Sequence, residues 1–326
     1  MLQYAVPPVK EGRIIRPGGP NVQVEGQVYQ TMGKWHWVWD GAEIRQGFPG
    51  GRLALGGGRR KNRVAVGDRV TLRLQSDGSA LIESILPRKN KLSRRLSFTG
   101  AEHVVAANVD VLAVMLAPNP LLNTALLDRY LVAALSQGME VAVLVNKMDL
   151  LSPSEVNETL EPYRRLNYPI FPMAAKLRRD LDAFLSAVAE RWVVLVGHSG
   201  VGKTTLVNAV VPGAEERVAE VREATGKGRH TTSSAIAHRL EDGTILVDTA
   251  GIREFALWEV GWREVERSFP EIHEAGAGCR FPDCQHDREP GCAVKGSLQA
   301  GRISPRRYGS YLSLLREVLG KGAEAR

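Results

Sequence analysis

The spacing of hydrophobic residues changes twice along the chain. From Asn21 to about Pro87, apolar and polar positions alternate in short stretches, Val22–Val28, Trp35–Trp39, Val64–Val66, Arg69–Leu74 and Ala80–Ile85, broken by turn signals at Gly67-Asp68 and Asp77-Gly78. Five short strands over about 65 residues predict a small Greek-key barrel of the OB type. Trp35, Trp37 and Trp39 share one face of the second stretch, and we expect that face to line the barrel core; the rival reading is a platform on which bases stack. The Pro- and Gly-rich residues 1–20 predict a loose arm, Gly50–Arg60 a loop, and Arg88–Arg95 a basic linker or a strip that contacts phosphates.

Beyond Ala106 the apolar runs become continuous: Val109–Ala117, Glu140–Val145, Tyr168–Met173, Trp192–Val196 and Thr244–Val247. Such runs mark parallel strands buried on both faces. Helical patterns separate them at about 123–137, 153–166 and 178–190, the second opened by the capping box Ser152-Pro153-Ser154-Glu155. Strand–helix alternation predicts a doubly wound α/β sheet. After about Phe269 the chain turns short, polar and Cys/His-bearing, and closes on a helix at Pro305–Leu319. The expected organisation is multidomain α/β: an arm at 1–20, a basic OB-like β-barrel at 21–95, a P-loop unit at 96–268 and a zinc-binding helical unit at 269–326.

Charge sharpens this division. Residues 1–95 carry 17 Lys and Arg against 7 Asp and Glu, whereas the rest carries 26 against 29. The excess of positive charge therefore sits in the first third, which points that part at a polyanion. The 326 residues are 44% hydrophobic, with no apolar run near the roughly 20 residues that cross a bilayer and no signal-peptide core at the start. A cytoplasmic, monomeric protein with no membrane partner is the expectation.

Gly197-His198-Ser199-Gly200-Val201-Gly202-Lys203-Thr204 fits G-x-x-x-x-G-K-[ST], between an apolar strand and a helical pattern that continues through Thr205. Inward-turned backbone N–H groups would cradle phosphates, Lys203 would reach the β/γ-phosphates and Thr204 would hold Mg²⁺. Asp248-Thr249-Ala250-Gly251 follows another apolar strand, as a Walker-B-type aspartate would, with the Gly251 N–H free for a γ-phosphate. Asn146-Lys147-Met148-Asp149 ends the strand Glu140–Val145 and selects guanine, because Asp149 could accept from N1–H and the exocyclic amine, and Ala174-Ala175-Lys176 would back the base. These base-reading segments precede the P-loop, the reverse of the Ras-like order, so the chain reads as a circularly permuted GTPase. One consequence is that Asp248–Gly251 leads straight into the C-terminal module. Gly226–Thr232 lies where a first switch belongs, with Thr232 or Thr231 as the ligand to Mg²⁺ and γ-phosphate.

Only three cysteines occur, all in one window: Cys279-x₄-Cys284-x-His286-x₅-Cys292. An odd, clustered set is a poor disulfide framework, and three thiolates with one imidazole make a closed structural zinc set. His273 lies outside the cluster.

NKMD at 146–149, GHSGVGKT at 197–204, GKGRHTT at 226–232, DTAGIRE at 248–254 and CRFPDCQHDREPGC at 279–292 together resemble the RsgA (YjeQ) family of circularly permuted GTPases. The resemblance covers about residues 25–320. It implies an OB domain, a permuted GTPase domain and a zinc domain that grips the small ribosomal subunit near its decoding region, with rRNA contacts and GTP hydrolysis stimulated by that subunit. Two features depart from it: the base-backing loop is AAK where Ser-rich sequence is common, and the Gly-rich loop at 50–58 has no counterpart. Ile252 stands where Ras-like enzymes carry the water-orienting Gln, so intrinsic turnover should be low. His230 is the favoured water-positioning residue, as the resemblance also suggests, with His198 second. The rival functions are an RNA chaperone or checkpoint factor timed by GTP, and a P-loop ATPase or kinase with a zinc finger.

Overall fold

The computed structural model describes residues 23–51, 53, 64–95, 101–118, 122–214, 235–249 and 257–324. The arm and most of the Gly-rich loop lie outside them. Five strands, β1 (Gln23–Met32), β2 (Trp35–Trp39), β3 (Ile44–Pro49), β4 (Arg69–Leu74) and β5 (Ala80–Ile85), pair in the order β1-β2-β3-β5-β4 and close through β1–β4. Barrel closure leaves these five strands without a free edge.

Two expectations for the barrel fail. Its third strand is Ile44–Pro49, while Val64–Val66 contributes only an isolated bridge from Val66 to Ala106. The tryptophans are also on the other side. His36 and Val38 are buried, whereas Trp35 is 46% exposed and Trp37 and Trp39 are only partly covered. The interior is too narrow for indoles: it is filled by Val28, Val38, Val70, Leu72, Ala80 and Ile82, and even a Cβ at Gly26 would come within 2.7 Å of Leu72.

The basic stretch after β5 is structural too. Lys91–Arg95 forms β6, antiparallel to β7 (Glu102–Ala107), and is therefore a strand and not a linker. Arg88 pairs with the fully buried Asp68 at 2.6 Å, Lys89 with Asp110, and Lys91 with Glu102 and Glu259.

The second part of the sheet comprises β8 (Val111–Leu116), β9 (Glu140–Val145), β10 (Ile170–Pro172), β11 (Trp192–Val196), β12 (Ala235–Arg239) and β13 (Ile245–Thr249). Strands β10-β9-β8-β11-β13 run parallel, and β12 is antiparallel to β13. Every residue of β8 is buried. Leu112, Val114 and Leu116 enter one core and Val111, Ala113 and Met115 the other, as expected of a strand covered on both faces. Helix α1 (Thr124–Leu135) and α2 (Pro153–Arg165) belong to the first side; α3 (Asp182–Ala187) and α4 (Lys203–Val210) to the second. The predicted capping box at the start of α2 is present, with the Ser152 hydroxyl accepting from the Glu155 N–H.

β1 also joins the two parts. Beyond a bulge between Val28 and Gln30 it turns to β12, with Gln30 opposite Ile236, so barrel and α/β strands form one eleven-stranded sheet. The ring of Tyr29 meets Trp192 edge-on at 5.6 Å across this seam. Helices α5 (Trp262–Arg267), α6 (Pro270–Gly276), α7 (Ala293–Gln299) and α8 (Pro305–Glu324) complete the chain and share the first core with α1 and α2. Among the described residues no helix is long and apolar enough to cross a membrane.

Candidate active site and metal centre

Parallel strands place their carboxyl ends on one edge, where open α/β sheets bind ligands. Here that edge gathers the ends of β9, β10, β11 and β13, which carry Asn146, Ala174, Gly197 and Asp248 respectively. The chain needs glycine at two points of the P-loop. Gly197 (φ 143°) and Gly202 (φ 105°) adopt left-handed backbone angles, and an added Cβ would strike the Met115 carbonyl at the first and the Asn146 amide at the second.

Lys203 opens α4 and is 6% exposed. Its Nζ donates back to the carbonyls of Gly197 (2.9 Å) and His198 (3.1 Å), and burial pushes its pKa down. An ammonium group held this way favours an anion. Thr204 Oγ1 donates to Asp248 Oδ2 at 2.7 Å, while Asp248 Oδ1 is buried with no hydrogen-bond partner among the described residues. Burial raises the Asp248 pKa against the opposing effects of the Thr204 bond and the Lys203 charge. A hydroxyl beside an orphaned carboxylate oxygen is a donor set suited to a hard divalent cation. His198, Ser199 and Gly200 form the exposed rim of the loop, and Thr205 continues the helix behind Thr204.

Asn146 has a role that the motif alone did not reveal. It is 2% exposed, its Nδ2 donates to the Val201 carbonyl of the P-loop (2.8 Å), and its Oδ1 accepts from Ala175 N–H (2.9 Å). One amide thus ties the phosphate loop to the base loop. Lys147 follows with φ 61°, turning the chain into a 3₁₀ turn at Met148–Leu150 that leaves Asp149 exposed. Met148 N–H donates to Met173 O (3.2 Å), and Ala175–Leu177 forms a second 3₁₀ turn with Ala174 and Ala175 buried and Lys176 exposed. The structure therefore brings Asn146–Asp149, Ala174–Lys176, Gly197–Thr205 and Asp248 to one cleft. His230, Thr231, Thr232, Ala250, Gly251 and Ile252 lie outside the described residues.

The cysteine cluster assembles as the spacing predicted. One atom from each of Cys279, Cys284, His286 and Cys292 lies within 4.8 Å of the others. Cys279 Sγ and Cys292 Sγ are 3.8 Å apart, and each is 3.5 Å from His286 Nδ1. Tetrahedral zinc with bonds of about 2.3 Å to sulfur and 2.0 Å to nitrogen would separate its ligands by about 3.8 and 3.5 Å, so this set is compatible with zinc. Burial pushes the Cys284 thiol up to about 12, so a thiolate there calls for a bound cation. Behind the cluster Glu266 Oε1 stands 3.8 Å from His286 Nε2, beyond hydrogen-bond distance, so it contributes charge near the imidazole but does not fix its orientation. His273 bonds to Glu266 (3.2 Å) and is not among the four. The Tyr308 and Tyr311 hydroxyls, from α8, donate to the carbonyls of His286 and Gln285 and fix the knuckle.

The motif reading also missed Arg307. It is 1% exposed on α8, pairs with Asp128 of α1 (2.6 Å) and Glu271 of α6 (2.7 Å), and lies over the rings of Phe269 (4.5 Å) and Tyr163 (5.0 Å). The Tyr163 hydroxyl donates to Asp128 (2.8 Å). An Arg on an otherwise amphipathic helix gives no such signal in sequence.

Base-reading loops that precede the P-loop in the chain but meet it in space define a circularly permuted P-loop GTPase. A family model described as RsgA GTPase matches residues 85–258. The small ribosomal subunit biogenesis GTPase RsgA of Azotobacter vinelandii is 41% identical over 255 residues, 77% of this chain and 74% of its own. Its counterpart from Pseudomonas putida is 37% identical over 318 residues, 94% of this chain and 85% of its own. The crystal structure of YjeQ from Thermotoga maritima superposes with a TM-score of 0.72 at 30% identity, covering 92% of this chain and 99% of that one. That of YloQ, a circularly permuted GTPase, gives 0.67 at 25% identity over 94% and 98%. The chain belongs to the RsgA GTPase family.

Proposed function

We propose that this GTPase acts in the late maturation of the small (30S) ribosomal subunit, binding rRNA and hydrolysing GTP slowly until the subunit stimulates it. The observation that carries the guanine-nucleotide part is the Asn146 bridge between P-loop and base loop; the ribosomal part follows the names of relatives that align along most of the chain. The working units are an arm at 1–20, an OB-like barrel followed by a basic stretch to residue 95, the GTPase unit over 96–268 and a zinc unit over 269–326, in a cytoplasmic monomer.

In this reading Lys203 exchanges the Gly197 and His198 carbonyls for β/γ-phosphate oxygens, and the amides of Ser199–Thr205 complete the cradle. Thr204 and Asp248 hold Mg²⁺, which when bound neutralises charge on the β- and γ-phosphates. Thr232 and the Gly251 N–H sense the γ-phosphate. His230 orients the attacking water, a task Ile252 cannot perform. Asp149 reads guanine, backed by Ala174–Lys176, while Lys147 and Met148 shape the turn that presents it. Cys279, Cys284, His286 and Cys292 hold one structural zinc ion, with no open position for chemistry.

Binding to purified small subunits, with a non-hydrolysable GTP analogue and with GDP, tests the proposal. Affinity should be higher with the analogue and should drop about 100-fold between 50 and 200 mM salt if as few as four phosphates are contacted. A flat salt response would reduce the basic surplus to a solubility device. Cys284→Ala should leave nucleotide affinity near wild type and remove most of the stimulation by subunits, because the cleft is built elsewhere and the zinc unit is the grip. Full subunit-stimulated turnover in a zinc-depleted Cys284→Ala chain would separate that unit from coupling.

A further inference from the structure

The barrel reaches the nucleotide cleft along one row of residues. Where β1 meets β12, Gln30 lies opposite Ile236; Ile236 lies opposite Asp248 on β13, and Asp248 opposite Leu195 on β11. Residues directly opposite in neighbouring strands project from the same face of a sheet. Gln30 of the barrel therefore shares a face with the cleft aspartate, two strands away. The cores agree with this register. Ala235 and Val247 enter the first core, whereas Leu195 and Leu246 enter the second, together with Leu206 and Val207 of α4. The register of β1 is held on the opposite side by Tyr29, whose ring meets Trp192 and whose hydroxyl accepts from the Arg239 guanidinium of β12.

Gln30 is 7% exposed, and its Nε2 has no hydrogen-bond partner among the described residues. A buried donor left in that condition costs free energy and is rare in folded proteins. Asp248 Oδ1, the orphaned acceptor of the cleft, is on the same row. An unpaired donor and an unpaired acceptor thus share one face, with only the aliphatic Ile236 between them. Two successive antiparallel pairings set their Cα atoms about 10 Å apart, a span that the two side chains and one bridging water cover.

We propose that Gln30 is a positioning residue for the nucleotide site, holding the Asp248 carboxylate through a bridging water; the inference rests on the assignment of Thr204 and Asp248 to Mg²⁺ above. An ionised carboxylate has about four lone-pair sites. Thr204 uses one on Oδ2. Oδ1 then faces the cation with one of its own and accepts from the water held by Gln30 with the other. Hydrogen-bond partners one step behind a metal ligand fix its orientation and raise the affinity of the site. The barrel thereby completes the site that the α/β strands begin.

The test uses the full chain, MgCl₂ and GDP carrying a fluorescent N-methylanthraniloyl group. The rate of nucleotide release, followed against Mg²⁺ concentration, gives a Mg²⁺ midpoint. Gln30→Met keeps the length of the side chain and removes the donor. It should raise the Mg²⁺ midpoint about tenfold and leave the release rate without Mg²⁺ unchanged. The thermal midpoint of the Mg²⁺- and nucleotide-free chain should hold or rise, because an unpaired buried donor has been removed. Asp248→Asn should raise the Mg²⁺ midpoint by itself, and adding Gln30→Met to it should have little further effect, since the two side chains act as one unit. An unshifted Mg²⁺ midpoint in Gln30→Met, with Asp248→Asn shifted, overturns this proposal alone. A clear drop in the thermal midpoint of Gln30→Met overturns it too, because the amide would then be holding the seam. Asp248→Asn with the wild-type Mg²⁺ midpoint overturns the metal assignment and this inference together.

Discussion

Asp149→Asn is expected to lower GTP affinity by about 100-fold or more and to admit xanthosine triphosphate instead. Guanine presents two adjacent donors, N1–H and the exocyclic amine, and a carboxylate accepts both. An amide offers one acceptor and one donor, so one guanine donor faces a donor. Replacing one charge-assisted bond by a neutral one and the other by a buried donor facing a donor costs about 3 kcal/mol or more, which sets the hundredfold floor. Xanthine carries a carbonyl in place of the amine, and the new amide donates to it. The fold should tolerate the change, because Asp149 is exposed in its 3₁₀ turn and the loop is held by Asn146 and by the Met148–Met173 bond. Competition binding of GTP, XTP and ATP measures all three at once. Unchanged GTP affinity would remove Asp149 from the base site.

The second large effect lies outside the cleft. Arg307→Met is expected to destabilise the chain by about 3–5 kcal/mol, because it strands the buried Asp128 carboxylate and leaves Glu271 unpaired. The loss should appear as a lower denaturation midpoint and as increased amide exchange in α6 and α8, the helices that Arg307 ties to α1. Adding Asp128→Asn to the same chain should recover part of the stability, since the buried carboxylate left without a counter-charge is the main cost. A single Arg307→Met change that is neutral would mean the C-terminal unit is held to the GTPase unit without this network, by apolar packing and the Arg129–Glu317 pair between α1 and α8. The network also gives the grip of that unit on the GTPase core a physical basis: α8 clamps the cysteine knuckle through Tyr308 and Tyr311 and anchors to α1 through Arg307.

Where burial is two-sided, the chain announced its structure. Glu140–Val145 and Trp192–Val196 are strands with the boundaries expected of them, since a parallel strand between helices has no polar face to blur its ends. The capping box at Ser152 and the metal-type spacing at Cys279–Cys292 were legible because each is a local rule. The barrel was less so. Alternation shows that Trp35 and Val38 face opposite ways but not which side closes inward, and a five-stranded interior selects compact aliphatic side chains over bulky indoles. Lys91–Arg95 looked like a linker because the acids that pair with Lys91, Glu102 and Glu259, lie outside the stretch itself. The Asn146 bridge and the Arg307 network depend on residues far apart in the chain, and a single sequence carries no record of such contacts.

Steady-state phosphate release from GTP and from ATP, with and without purified small subunits, decides whether this cleft hydrolyses guanine nucleotide as part of a transaction with the small ribosomal subunit. GTP turnover should be slow alone and rise at least about tenfold with small subunits, with no turnover of ATP in either case. GTP turnover indifferent to the subunit, or ATP hydrolysed as readily as GTP, would contradict this reading.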